Sequence, residues 1–225
     1  MSDRIGPNGS PMDATGFVRA ANRAKWQWYF EWATTTGTLW SWGALQLWHA
    51  AETLEAPARE AYLEFDRMRE NPEVLLEPGT RTMPERWLET GLLSPALMLA
   101  GMAIECLFKG CISEQQGQSA LTTKKGKQKY RYAHHKLNQL ANDAGIGSRL
   151  DRDDRQLLEL LTAFVEWAGR YPVPLTEDGL FVPAGTQPQG DEASWTLAKG
   201  KPGTFGQARE LFTRLLEEIS PASAP

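Results

Sequence analysis

The sequence predicts an all-α fold: a helical bundle with an N-terminal helical extension and a long irregular loop before the last helix. Three observations predict it. Apolar residues recur at helical spacing through several long segments, one segment is apolar nearly all round as a central helix should be, and strand-like alternation is confined to residues 179–182 and 194–198. With 41% hydrophobic and 10% aromatic residues in 225, the chain can bury a substantial core.

Residues 1–15 are polar and broken by Gly and Pro, so they read as a flexible tail without the apolar run of a signal peptide. Residues 16–85 form a Trp-rich helical extension, FVRAANRAKWQWYFEWATT followed by GALQLWHAAETLEAPAREAYLEFDRMRE, with Pro57 expected to kink or break the second helix. A connector rich in Pro and Gly closes it. Trp26, Trp28, Trp32, Trp40, Trp42 and Trp48 fall in this region, and Trp28 and Trp32 share one helical face, which suits packing on the bundle or on a second subunit. The longest uncharged stretch, residues 33–51, approaches the length of a membrane span, but four Thr, a Ser, a Gln and a His make it too polar to serve as one. No membrane partner is expected.

Residues 90–220 hold the bundle. SPALMLAGMAIECLFKGCISEQ is its central helix, with Ser94 suited to the cap and Pro95 to the first helical position. A polar, Lys-rich loop over residues 116–133 precedes HHKLNQLANDAGI, a short helix ending at Gly145. The next helix begins near Asp153 and buries Leu157, Leu161, Phe164, Val165 and Ala168. It stops at Gly-Arg-Tyr-Pro, where Gly169 relaxes the backbone, Tyr171 precedes Pro172, and Arg170 can meet the negative end of the helix dipole. Residues 171–203, with five prolines, form the irregular loop. The last helix starts near Thr204 and uses Leu211, Phe212, Leu215, Leu216 and Ile219.

Net charge is −4, which gives no global argument for nucleic acid or an anionic membrane. Positive charge is local instead. Between Glu114 and Asp143 there are six Lys or Arg and no acid. Lys124, Lys125, Lys127, Lys129 and Arg131, interleaved with Tyr130 and Tyr132, suit a grip on the backbone and bases of RNA; a solvated loop is the alternative. His134 and His135 adjoin that segment and, with Arg170, are the candidate catalytic groups, since imidazole moves protons near neutral pH and guanidinium stabilises a charged phosphate. The alternative is that one imidazole caps the following helix while the other faces water. Glu105 and Lys109, one turn apart in the apolar helix, read as a structural polar pair, with Arg170 as a more distant partner for Glu105. Cys106 and Cys111 are poorly spaced for a disulfide and too few for zinc, which fits a reducing, cytoplasmic setting. Neither a metal nor another cofactor is expected.

ALMLAGMAIECLFKGCI with its Glu105 to Lys109 spacing, the His-led HKLNQLANDAGI, and LLELLTAFVEWAGRYPVP together resemble bacterial HEPN-type domains over about residues 90–220. The resemblance implies a small helical bundle, commonly dimeric, of the kind found in defence and toxin–antitoxin systems, where many members are metal-independent ribonucleases. Active members carry an Arg followed after four to six residues by a His. Here no His follows position 135, and Arg131 to His135 is one residue short of that spacing. The expected function is therefore a non-catalytic or degenerate dimeric interaction module, with a second copy, a protein partner or RNA bound. The alternative is a ribonuclease or RNA-binding toxin with a rearranged His and Arg site.

Overall fold

A computed structural model describes residues 14–70, 89–124, 127–168 and 202–219. In chain order they form α1 (Ala14–Thr35), α2 (Gly37–Glu70), α3 (Leu93–Gln116), β1 (Leu121–Lys124), β2 (Lys127–Tyr130), α4 (Leu137–Asp143), α5 (Arg152–Ala163) with a π-helical turn at Phe164–Ala168, and α6 (Pro202–Ile219). The all-α prediction holds, since the one sheet among the described residues is a two-stranded hairpin. The tail to residue 13, the connector after α2, Arg170, and the irregular loop to residue 201 with both strand-like stretches lie outside the described residues, while residues 14–15 begin α1 and 202–203 begin α6.

α3 is the axis. Ala96, Leu97, Ala100, Ala103, Ile104, Leu107, Phe108 and Ile112 are fully buried, while Met98, Leu99, Met102 and Cys106 on the opposite side are only partly covered. Among the described residues it is the one helix long and apolar enough to cross a bilayer, and most of its length is buried within the bundle. α2 packs along it most extensively, and α4, α5 and α6 close the other sides. The buried cluster runs from Ala44 to Leu215, so α2 and the bundle share one core. Trp48 of α2 stacks on Phe212 of α6 at 4.2 Å and lies 5.4 Å from Phe205. Arg209 of α6 pairs with Glu52 and Glu55 beside that contact.

Helix ends follow local chemistry. Asp151 caps α5 by accepting from the Asp154 N–H at 2.8 Å, and the Asp154 carboxylate accepts from the Asp151 N–H at 3.2 Å, a reciprocal capping box. α4 ends with Gly145 at φ 73°, where the Gly145 N–H donates to Asn142 O and the Ile146 N–H to Ala141 O. These are the two bonds of a Schellman stop, and the left-handed residue between them favours glycine. The buried stripe of α5 is as predicted at Leu157, Leu161, Phe164 and Val165. In α6, Leu211, Phe212 and Leu215 are buried while Leu216 and Ile219 are half-buried.

Three expectations need correction. Of the kink or break expected at Pro57 the break does not occur, since α2 runs through it. A proline there removes one helical hydrogen bond and crowds the preceding turn, but burial of Glu55, Ala58 and Ala61 on either side holds the helix together. The N-cap of α3 is Leu92 rather than Ser94, which places Pro95 in the first turn, where a missing N–H leaves no intrahelical bond unmade. The Lys-rich loop is partly a hairpin: β1 and β2 pair antiparallel from Leu121↔Tyr130 to Lys124↔Lys127, with two residues between the strands.

α3 and the end of α5 touch at Gly101, where a Cβ would lie 2.7 Å from Val165 Cγ2 and 3.2 Å from Leu161 O. Gly101→Val is expected to lower stability by about 1–3 kcal/mol through overpacking, read as a reduced urea midpoint. Gly43→Ala in α2, where a Cβ meets nothing within 4 Å, is the control and leaves the midpoint unchanged or higher.

Candidate functional site

One turn of α3 carries the only charged side chains buried within that helix among the described residues. Glu105 is 7% exposed and Lys109 5%. Their spacing puts both on one face, and Lys109 Nζ donates to Glu105 Oε1 at 2.6 Å. The second carboxylate oxygen, Oε2, is 2.8 Å from His135 Nδ1. A carboxylate oxygen accepts, so the contact suits a proton on Nδ1, and in a neutral ring Nε2 is then the accepting nitrogen. The His135 side chain is 40% exposed, so the cluster reaches from the core to the surface.

Aromatic rings wall the charged pair. Lys109 Nζ stands 5.8 Å from the Trp40 ring centroid, and Trp40 stacks on Tyr130 at 5.6 Å. Close approach of α2 here needs a small residue, since a Cβ on Gly110 would meet Trp40 Cβ at 3.1 Å and Gly37 O at 3.2 Å. The Tyr130 hydroxyl donates to Lys109 O at 3.3 Å and lies 3.2 Å from Ser113 Oγ, which donates to Thr34 O at 2.8 Å. The cluster thus ties together the end of α1, the start of α2, α3, the hairpin and the loop after it.

His134 points elsewhere. Its Nδ1 accepts from the Lys136 N–H at 3.3 Å, just before α4. Burial, and then the charge of Lys109, push its pKa below the ordinary 6.5, against opposing pulls from Asp143 and Glu105. His134 is therefore neutral at pH 7. Cys106, beside Glu105 in sequence, is held as a thiol: burial and the adjacent carboxylate push its pKa up to about 11. Among the described residues no three His, Cys, Asp or Glu side chains converge as a metal site would require.

The hairpin sorts the basic segment by face. Paired residues share a side, so Leu121, Tyr130, Thr123 and Gln128 occupy one face and Thr122, Lys129, Lys124 and Lys127 the other. The three lysines are exposed, as is Arg131. Tyr130 and Tyr132 are not free for the stacking expected of them: Tyr130 lies on Trp40, and Tyr132 is 8% exposed with its hydroxyl donated to Gln116 Oε1 at 2.8 Å. Both tyrosines serve the fold. Lys125 and Arg170 lie outside the described residues.

The structure therefore joins His135 to Glu105 and Lys109, and places His134 beside them without a direct bond to either. Glu105 finds its second partner in His135. Trp40 and Ser113 were not singled out for this site, and the only sequence signal for them was the Lys109-Gly110 pair, which allows another backbone to come close. Comparison with protein-family models, curated proteins and solved structures finds no match to this chain.

Two outcomes follow. Glu105→Leu strands the Lys109 charge in the core and is expected to cost about 3–5 kcal/mol, whereas Glu105→Leu with Lys109→Met costs clearly less than the single change; urea denaturation of the full cycle checks this. As pH falls through 6.5, the unfolded chain protonates His134 before the folded one does. The stability from its depressed pKa is therefore present above 6.5 and lost on acidification through the lower folded value. An NMR titration should place the His134 midpoint below 6.5, and His134→Gln should flatten the acid decline in stability.

Proposed function

We propose that this chain is a HEPN-like helical module that binds RNA on the lysine face of its hairpin, as a non-catalytic component of a bacterial defence or toxin–antitoxin system. The register of the hairpin carries the RNA reading. Lys124 and Lys127 stand directly opposite each other with Lys129 on the same face, and like charges so placed work against the hairpin by roughly 0.2–1 kcal/mol. A polyanion removes that repulsion and gains from counterion release. The chain outside the segment is acidic in sum, although α1 is itself basic, so the segment holds the strongest local positive charge. The defence context is supported by the resemblance of residues 90–220. The non-catalytic reading is supported by the absence of any His after position 135 and by the mutual neutralisation of Glu105 and Lys109.

A second reading rests on one observation, the Glu105 carboxylate on His135 Nδ1 with the ring half-exposed. That arrangement suits a general base, with Nε2 accepting a proton from a hydroxyl of bound nucleic acid.

Anisotropy of a short labelled single-stranded RNA over a range of salt concentrations tests both. Binding should weaken with salt, and replacing Lys124, Lys127 and Lys129 by Ala should reduce the log–log slope by about 2, three phosphate contacts at roughly 0.7 each. The same variant should melt no lower than the parent, since its loss removes a repulsion. Salt-insensitive binding, or an unchanged slope in the variant, would count against the lysine face. RNA that stays intact fits the non-catalytic reading, while cleavage abolished by His135→Ala would move the assignment to the second.

A further inference from the structure

α1 stands clear of the bundle along much of its length. Residues 23–30 are exposed without a break, more than two turns of helix. Trp26 is 66% exposed, Trp28 63%, Tyr29 46%, Phe30 37% and Trp32 42%. At about 100° per residue these five rings cover an arc of roughly 200°. Arg23, Gln27 and Glu31 form a polar stripe on the remaining side, where Gln27 Nε2 donates to Glu31 Oε1 at 3.2 Å. Lys25 lies inside the arc, one turn before Trp28 and Tyr29 and two before Trp32. Arg23 stands at its edge, one turn before Trp26 and two before Phe30. The anchored end of α1 meets the hairpin. Thr34 O accepts from Ser113 Oγ, which lies 3.2 Å from the Tyr130 hydroxyl at the end of β2, and α1 also packs on the turn at Gly117–Ala120 that leads into β1.

We propose that α1 is a base-stacking platform for single-stranded RNA. A strand held at its phosphates by the hairpin lysines continues onto α1, where Trp26, Trp28 and Trp32 take its bases and Arg23 and Lys25 its phosphates. Charge is the first argument. α1 carries three bases and one acid, a net +2, on a chain whose total is −4, and its one acid is engaged by Gln27 on the side away from the rings. Interleaving is the second. Ring faces accept any base, and cations set one turn from them suit the phosphates between bases. The spread of the rings then selects the partner. A flat protein face or a bilayer covers one side of a helix and leaves part of that arc in water. An interfacial helix also keeps its cations on its polar face, whereas Lys25 stands among the rings. The splayed bases of a flexible strand reach rings on several sides.

The platform deepens the RNA reading of the hairpin and rests on it, and two labelled probes separate them: a mixed-sequence single-stranded RNA and an abasic strand of the same length and charge. Nuclease-treated full-length protein should bind the base-bearing strand at least about 30-fold more tightly, the yield of two stacked bases. Trp28→Ala with Trp32→Ala should remove that preference and most of the tryptophan quenching, leaving abasic binding, the salt slope and the melting temperature unchanged. Arg23→Gln with Lys25→Gln should lower the log–log salt slope by about 1.4, two contacts at roughly 0.7 each. Equal affinity for the two strands, or lysine-dependent binding indifferent to the tryptophan changes, overturns the platform and leaves the hairpin reading intact. Base-dependent binding that needs Trp28 and Trp32 but ignores Lys124, Lys127 and Lys129 supports the platform and overturns the lysine face. Absence of RNA binding ends both. Capture of phosphatidylserine vesicles or of a second copy through the same two tryptophans, with RNA ignored, overturns the platform as well.

Discussion

The buried ion pair between Glu105 and Lys109 sets the terms for everything near it. Two charges on the central helix, each less than a tenth exposed, carry a large desolvation penalty that only close pairing offsets. One turn of helix brings them together, but a carboxylate has two oxygens, and the second takes His135. The aromatic wall of Trp40 and Tyr130 then excludes water from the ammonium group. Two apolar residues could fill the same space at lower desolvation cost. They could not give the half-exposed His135 ring a carboxylate partner, and that is the chemical content of the pair.

Features with local causes were readable in the sequence. The acidic start of α5, the glycine stop at 145 and the apolar stripe of α5 each need only neighbours within a turn or two. Glu105 and Lys109 were legible for the same reason. The hairpin was not, because four-residue strands rich in lysine have weak intrinsic preference, and their alternation gains meaning only when Tyr130 finds Trp40, 90 residues earlier. The helix through Pro57 is a similar case, in which burial along α2 outweighs a local breaker. The partnership of Glu105 with His135 spans 30 residues, and no spacing rule reaches across it.

Electrostatics divides the molecule. The total is acidic, yet three lysines share one face of a two-stranded ribbon, and α1 is basic while α2 is acidic. Neither concentration helps the isolated chain: opposed lysines repel, and exposed tryptophans leave apolar area in water. Stability would be better served by dispersing both. Features that cost the monomer something are where association has most to gain, since each relieves its own penalty on binding.

These two surfaces also share an anchor. Ser113 Oγ donates to Thr34 O at the end of α1 and lies within hydrogen-bond reach of the Tyr130 hydroxyl at the end of β2. Tyr130 in turn donates to Lys109 O on the helix that carries the ion pair. A rotation of α1 about its last turn must therefore move or break a bond to Ser113, and Ser113 is fully buried on the core face of the central helix. The aromatic helix and the lysine ribbon are consequently not independent appendages. Both are levered from one hydroxyl on α3, one turn beyond Lys109, so that the orientation of each is set by the same rigid part of the core.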